Sequence, residues 1–224
     1  MDHLLQAGYD IKETSYYDGV RKDWIDRLPE GGGLRILEIG CADGGTGHYA
    51  LVNGRAAFYA GVELMPGPAA KAEAVLSQVI TGDVEKLSLP FEPESFDALL
   101  MSEVLEHFVD PWAALTEKLV PLLKPGARVF ASSPNVAHRA VLRQLLRGRW
   151  DLTDSGTMDR THLRWFTPAT YREMLEGAGV EIDHIGPLDT SPAGFKQRVV
   201  NFVTGGCFDH LYWYQINAIG HRRR

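Results

Sequence analysis

Cysteine is scarce in this chain: Cys41 and Cys207 are the only two in 224 residues, and they lie far apart. Such spacing supports neither a disulfide framework nor a zinc knuckle, and it suits a reducing interior. Long apolar runs are also missing. No stretch reaches the roughly 18 residues that a membrane span requires. Met1-Asp2-His3-Leu4-Leu5 lacks the charged and apolar regions of a secretory signal. Basic residues are in deficit, with 23 Lys and Arg against 29 Asp and Glu, for a net charge of -6. Polyanion-binding surfaces draw on clustered Lys and Arg, so general nucleic-acid binding is not expected. The terminal Arg222-Arg223-Arg224 reads as a solvated tail. Repeats and low-complexity segments are absent as well. The expectation is a cytoplasmic protein without a membrane partner, of a length suited to a single domain over 1–224.

What the chain does contain is organised around Leu34-Arg35-Ile36-Leu37-Glu38-Ile39-Gly40-Cys41-Ala42-Asp43-Gly44. A short, bounded apolar run is the mark of a buried parallel strand. The small residues that follow let the backbone turn tightly and approach a ligand before a helix begins near His48. In open α/β sheets ligands sit outside the carboxyl ends of the strands, so this turn marks the floor of a cofactor site. A dinucleotide fingerprint wants a second glycine where Ala42 stands. Glu38, two residues before Gly40, would repel phosphates and suits a ligand that carries an ammonium group. A second strand, Ala56 to Leu64, places Glu63 where a carboxylate accepts from both ribose hydroxyls.

On these residues the chain resembles the class I S-adenosylmethionine-dependent methyltransferases, whose first motif reads acid, apolar, Gly, x, Gly or Ala, x, Gly. Further matches follow at the expected spacing. They include Asp83-Val84 after a third strand, Phe96-Asp97 entering a fourth, the run Glu103 to Pro111, a Pro125-Gly126 turn and a closing strand from Tyr214 to Gly220. The resemblance implies a Rossmann-like doubly wound α/β sheet, mostly parallel with an antiparallel C-terminal strand, and helices on both faces. It implies S-adenosyl-L-methionine as cofactor. Glu38, Gly40, Ala42 and Gly44 would hold the methionine end, Glu63 the ribose, and Asp83 with Val84 the adenine. In relatives a Tyr-Tyr segment closes over the cofactor, which would bring Tyr17 and Arg21, one helical turn apart within a cap helix over 1–30, near its carboxylate. Ser102 to His107, at the end of the fourth strand, should border the transferable methyl.

Methyl transfer is an in-line displacement, so the protein must align three atoms and exclude water. An alcohol acceptor must also lose a proton, to a base or beside a metal ion. His107 and His162 are the candidate bases. Glu103, Glu106 and His107 fall at i, i+3 and i+4, which on one helical face, with His162 arriving from a later loop, would make a divalent metal site. The same Glu-x-x-Glu-His pattern occurs in ubiquinone-pathway O-methyltransferases and in small-RNA ribose methyltransferases that use a metal. Residues 137–168, including a basic helical stretch at 137–150, read as a lid or substrate-side insertion. The expected activity is O-methylation of a small molecule or sugar. Nitrogen or carbon methylation, a catalytically silent cofactor-binding partner protein and a nicotinamide-dependent oxidoreductase are the alternatives, and oligomeric state is left open.

Overall fold

Apolar strands alternate with helices along the chain in a computed structural model that describes residues 19–189 and 194–224. The strands are β1 (Leu34–Ile39), β2 (Ala56–Glu63), β3 (Gln78–Thr81), β4 (Phe96–Ser102), β5 (Leu123–Pro134), β6 (Val180–Pro187) and β7 (Gln215–Arg222). They form one sheet in the order β3-β2-β1-β4-β5-β7-β6. Pairing from β3 through β5 is parallel. β7 runs antiparallel to both neighbours, β5 and β6. The expected sheet, mostly parallel with a reversed C-terminal strand, is what forms.

Both faces of the sheet are covered, which is why its central strands read as unbroken apolar runs. Because side chains alternate along a strand, neighbouring residues enter different cores. Leu37, Leu99 and Val129 pack with Leu115, Tyr171 and Met174. Ile36, Leu100 and Phe130 pack with Trp24, Ile25 and Ala50. The first layer draws on helix α4, which opens at Pro111–Ala113, takes π-type winding over Ala114–Leu119 and ends in a 3-10 turn at Val120–Leu122. It also draws on α6 (Pro168–Gly177), while the second layer uses α1 (Lys22–Ile25) and α2 (Gly45–Val52). Trp24 stacks on Phe130 with ring centroids 5.8 Å apart and donates its indole N–H to Asn217 Oδ1 at 3.1 Å. Removing so large a buried ring costs about 3–5 kcal/mol.

Local sequence explains most boundaries. Thr167 caps α6 by accepting from Thr170 N, with Pro168 at the first helical position, as its residue types predict. α3 (Pro66–Ala72) begins before the expected Pro68, because extended Met65 and Pro66 already make a helix start. Pro121 has no N–H to continue the ladder, so α4 tightens there instead of running to Leu123. The cap helix is much shorter than expected among the described residues. Arg21 has non-helical backbone (φ -86°, ψ 58°), and its N–H donates to Thr46 Oγ1 at 3.1 Å rather than back along a helix. Tyr17, the other member of the expected pair, lies outside the described residues. Two further helices, α5 (Arg139–Leu145) and α7 (Phe195–Thr204), follow β5 and β6.

Candidate active site

The parallel strands end in register, Ile39 beside Val62 and Met101, so the loops after β1, β2 and β4 meet above one edge of the sheet. They enclose a cavity of about 1040 Å³. Its floor is the turn after β1, where Gly40 and Cys41 donate backbone N–H groups to Val62 O at 2.8 and 3.2 Å. Ala42 then takes left-handed backbone (φ +51°) and donates its N–H to Glu63 Oε2 at 2.9 Å. A non-glycine residue held there stores strain of the order of 1 kcal/mol. The other Glu63 oxygen accepts from Met65 N at 2.9 Å, so the carboxylate is aimed by two backbone amides. Burial pushes its pKa up against those bonds.

Glu38 is buried beneath the same turn and accepts from Tyr59 Oη at 2.8 Å. Burial lifts its pKa to about 7, with the nearby Glu63 charge adding to the rise and the Tyr59 bond opposing it. An ammonium group beside it would reverse that shift. The Cys41 thiol is pushed far up by burial and by Glu38, which leaves it un-ionised and inert.

Arg21, whose charge favours the ionised form of Glu38, is fixed from several sides. Its guanidinium lies 3.4 Å from the Trp24 ring centroid, pairs with Asp23 and donates to Ser102 Oγ at 3.1 Å. The loop after β3 closes another side of the cavity. Asp83 accepts from Glu85 N and from Lys86 Nζ, and Val84 is buried beside it. Lys118, from α4, donates to the carbonyls of Val84, Glu85 and Leu87. Glu85 in turn accepts from the amides of Val109 and Asp110 at 2.8 and 2.7 Å, tying this loop to the segment after β4.

The far end of the cavity is assembled from distant segments. After β4, Glu103 is left-handed (φ +52°) and only Leu105–His107 winds, as a 3-10 turn. The expected helical face carrying Glu103, Glu106 and His107 does not form, because the chain bends before a helix can start. Glu103 turns aside and accepts from Gln215 Nε2 at 2.9 Å. Glu106 and His107 instead meet His162: one ligand atom from each of the three lies within 4.8 Å of the others. Both imidazoles are aimed by backbone carbonyls, His107 Nδ1 at Thr161 O (3.1 Å) and His162 Nδ1 at Thr157 O (3.2 Å). A carbonyl can only accept, so each Nδ1 carries the proton and each Nε2 keeps a lone pair while the ring is neutral. The rings sit 4.8 Å apart, edge to face.

Glu106 is buried, accepts from Ser133 Oγ at 3.2 Å through Oε2, and has no hydrogen-bond partner for Oε1 among the described residues. Its pKa stands well above the carboxylate range, chiefly from burial and then from the neighbouring Glu103 charge. Glu103 is raised by burial as well. The Glu106 carbonyl accepts from Leu163 N and Arg164 N, which pins the loop carrying His162 against the β4 turn.

Arg21, Glu38, Gly40, Ala42 and Glu63 all border this cavity, as do Asp83, Val84 and Ser102. Glu103, Glu106, His107 and His162 border it too. Gly44 does not. At φ +86° it starts α2, and a side chain there would meet Val75 Cγ2 at 2.9 Å, so it is a turn and packing residue rather than a contact for the methionine end. Sequence reading missed Tyr59, Thr46, Asp159 and Gln215. Asp159 accepts from Thr161 N and Oγ1, a turn bond that the spacing Asp159-x-Thr161 signals. Nothing local marks Tyr59 or Gln215, whose partners are 21 and 112 residues away.

A reversed seventh strand beside five parallel ones, with a cavity at the carboxyl ends of β1, β2 and β4, defines the class I S-adenosylmethionine-dependent methyltransferases. The chain belongs to this family: the profile of a methyltransferase domain matches residues 14–185. It is 29% identical over 209 residues to the ubiquinone biosynthesis O-methyltransferase of Aeromonas salmonicida (strain A449), covering 87% of this chain and 85% of that one. Identity to the ubiquinone biosynthesis O-methyltransferase of Pseudomonas entomophila (strain L48) is 30% over 193 residues, covering 82% and 80%. Among solved structures, an S-adenosylmethionine-dependent methyltransferase from Mesorhizobium loti superposes with a TM-score of 0.63 over 92% of this chain and 99% of that one. At 20% identity that likeness speaks for the fold. The nicotinamide alternative falls with family membership. Among the described residues, no helix is long and apolar enough to cross a membrane.

Proposed function

We propose that this methyltransferase acts on a hydroxyl oxygen of a small-molecule acceptor, bound at the end of the cavity where His107 and His162 stand. One observation carries the reading: two imidazoles, each with Nδ1 on a backbone carbonyl, stand beside a buried carboxyl group, with one ligand atom from each of the three residues within 4.8 Å of the others. Such a pair takes up a hydroxyl proton. The relatives at 29% and 30% identity carry names that specify O-methylation, in agreement with oxygen as the atom modified.

The residues present fit S-adenosylmethionine. Glu38 offers a buried carboxyl for the ammonium, Glu63 a carboxylate for the ribose, and Asp83 with the Val84 amide an acceptor and a donor for adenine. Arg21, anchored on Trp24 and Ser102, lies at the same end for a carboxylate. When bound, the cofactor supplies a methyl carbon on a sulfonium sulfur. The chain's own work is to hold the acceptor oxygen in line with that carbon and sulfur and to keep water out. The histidine pair would take up the proton that the acceptor hydroxyl gives up, at an Nε2 atom.

The same end of the cavity fits a divalent metal ion. Glu106, with Oε1 lacking a hydrogen-bond partner among the described residues, would hold it together with His107 and His162. Its chemistry there would be to lower the pKa of the acceptor hydroxyl. Glu103, committed to Gln215, stands outside that set.

The test supplies labelled S-adenosylmethionine with a panel of phenolic, catecholic and sugar acceptors and locates the methyl by NMR. Methyl ethers are expected. Label on nitrogen or carbon, or cofactor binding with no product from any acceptor, would overturn the reading.

A further inference from the structure

We propose that α5 and α7 together form a docking face that seats the protein on an anionic lipid bilayer. Each helix turns an apolar triad at i, i+3 and i+4 toward solvent. On α5 and the residue after it these are Leu142, Leu145 and Leu146, the last 79% exposed. On α7 they are Val199, Phe202 and Val203, of which Phe202 is 90% and Val203 75% exposed. Three residues at this spacing make no long apolar run, yet they line one helical face. Groups of exposed large apolar side chains on a folded domain mark an interaction surface.

The turn Asp209–Tyr212 touches both helices. Leu211, in the 3-10 turn Asp209–Tyr212, lines a largely apolar groove of about 380 Å³ with Leu142, Leu145 and Trp150. From the same turn the Asp209 carboxylate accepts from Gln197 and Asn201 on α7. Tyr214, two residues beyond the turn, borders the large cavity. The face therefore adjoins the acceptor end of the active site.

Charge selects the occupant. The chain carries a net charge of -6, but Ala137 to Trp150 holds four arginines and no Asp or Glu. Arg139, Arg143 and Arg147 fall at i, i+4 and i+8, a stripe beside the leucine face, and all three are exposed. Neither Arg143 nor Arg147 has a carboxylate partner among the described residues, whereas Arg149 pairs with Asp151. Arginines flanking leucines and a tryptophan match an interfacial helix, whose apolar side enters the acyl boundary while the guanidinium groups meet lipid phosphates. A second copy of this chain would set two arginine stripes against each other. Single-stranded RNA would ask for aromatic platforms where this face is mainly aliphatic.

The experiment is co-sedimentation of the full chain with phosphatidylcholine vesicles, with and without phosphatidylglycerol. Binding at least about 10-fold stronger to the anionic vesicles is expected, weakening as salt is raised. Leu146→Glu with Phe202→Glu, and separately Arg143→Glu with Arg147→Glu, should each lower it about 10-fold or more. None of these four residues borders the cofactor cavity, so unchanged cofactor affinity reports that the variants fold. Quenching of Trp150 by brominated lipid, taken as the difference between the wild type and Trp150→Phe, reads insertion without charge reversal. Three outcomes would overturn the proposal. They are equal binding to both vesicle types, a dimer in sedimentation velocity that the leucine and phenylalanine changes dissolve, and tighter binding to single-stranded RNA than to anionic vesicles.

Discussion

The two ends of the cavity are built in different ways. The proposed cofactor end is made by residues that close or directly follow a strand: Gly40 and Ala42 after β1, Glu63 closing β2, Asp83 and Val84 after β3. Backbone amides orient its carboxylates, so side chains there need little outside support. The proposed acceptor end gathers Glu106 and His107 from one turn and His162 from a loop some fifty residues later, with Glu106 held by the Ser133 hydroxyl, His107 by the Thr161 carbonyl and His162 by the Thr157 carbonyl of its own loop. A site of the first kind is a property of one crossover and is shared across a fold. The second kind depends on how distant loops dock, which is where an individual enzyme acquires its acceptor.

The largest effect that would break this contrast is at the acceptor end. His107→Ala and His162→Ala should each lower kcat by about 10²–10⁴-fold, the range for losing a general base, while cofactor affinity measured by calorimetry stays unchanged. A parallel loss of cofactor affinity would mean that the two ends are one unit. Excess chelator gives a sharper division: loss of turnover restored by added Mg²⁺, Mn²⁺ or Zn²⁺ is the outcome for a metal on Glu106, His107 and His162. Undiminished turnover would leave the proton to the imidazoles alone.

At the cofactor end, Glu38→Gln should raise the cofactor Kd by about 30-fold or more, as expected for removing one partner of a buried charged pair. It should also change stability in the opposite direction. Burial raises the Glu38 pKa from 4.5 to about 7, so its contribution to stability is full below pH 4.5 and is lost as pH rises through 7. Ionising it in the free protein costs about 3 kcal/mol above about pH 8, and the Gln variant should melt higher there but not at acidic pH. For the same reason wild-type cofactor affinity should fall as pH drops below about 7, where binding must first displace the proton. A flat affinity profile would remove Glu38 from the ammonium site. The smallest expected effect is Lys118→Met, which frees three carbonyls of the loop after β3 and should raise the cofactor Kd roughly 3- to 10-fold with kcat intact.

The contrast also separates what was legible from what was not. The β1 turn, the β2 acid and the cap of α6 follow from residues adjacent in sequence, and each forms where its residue types predict. Glu103, Glu106 and His107 carry a helical spacing, but spacing is only a face if the chain winds. Here it bends at Glu103, and the third member of the cluster comes from His162 instead. Gly44 belongs to the motif yet serves packing, because α3 lies against its α-carbon.

By itself the sequence determined the sheet, the cofactor floor and the class of chemistry, since apolar periodicity, small-residue turns and strand-end acids act over a few neighbouring residues. Only the tertiary structure decided that Glu106 joins two imidazoles while Glu103 turns to Gln215, and that two short helices from different parts of the chain each leave large apolar side chains exposed. Those are contacts between segments tens of residues apart. Their geometry comes from packing all the layers at once, which no local pattern encodes.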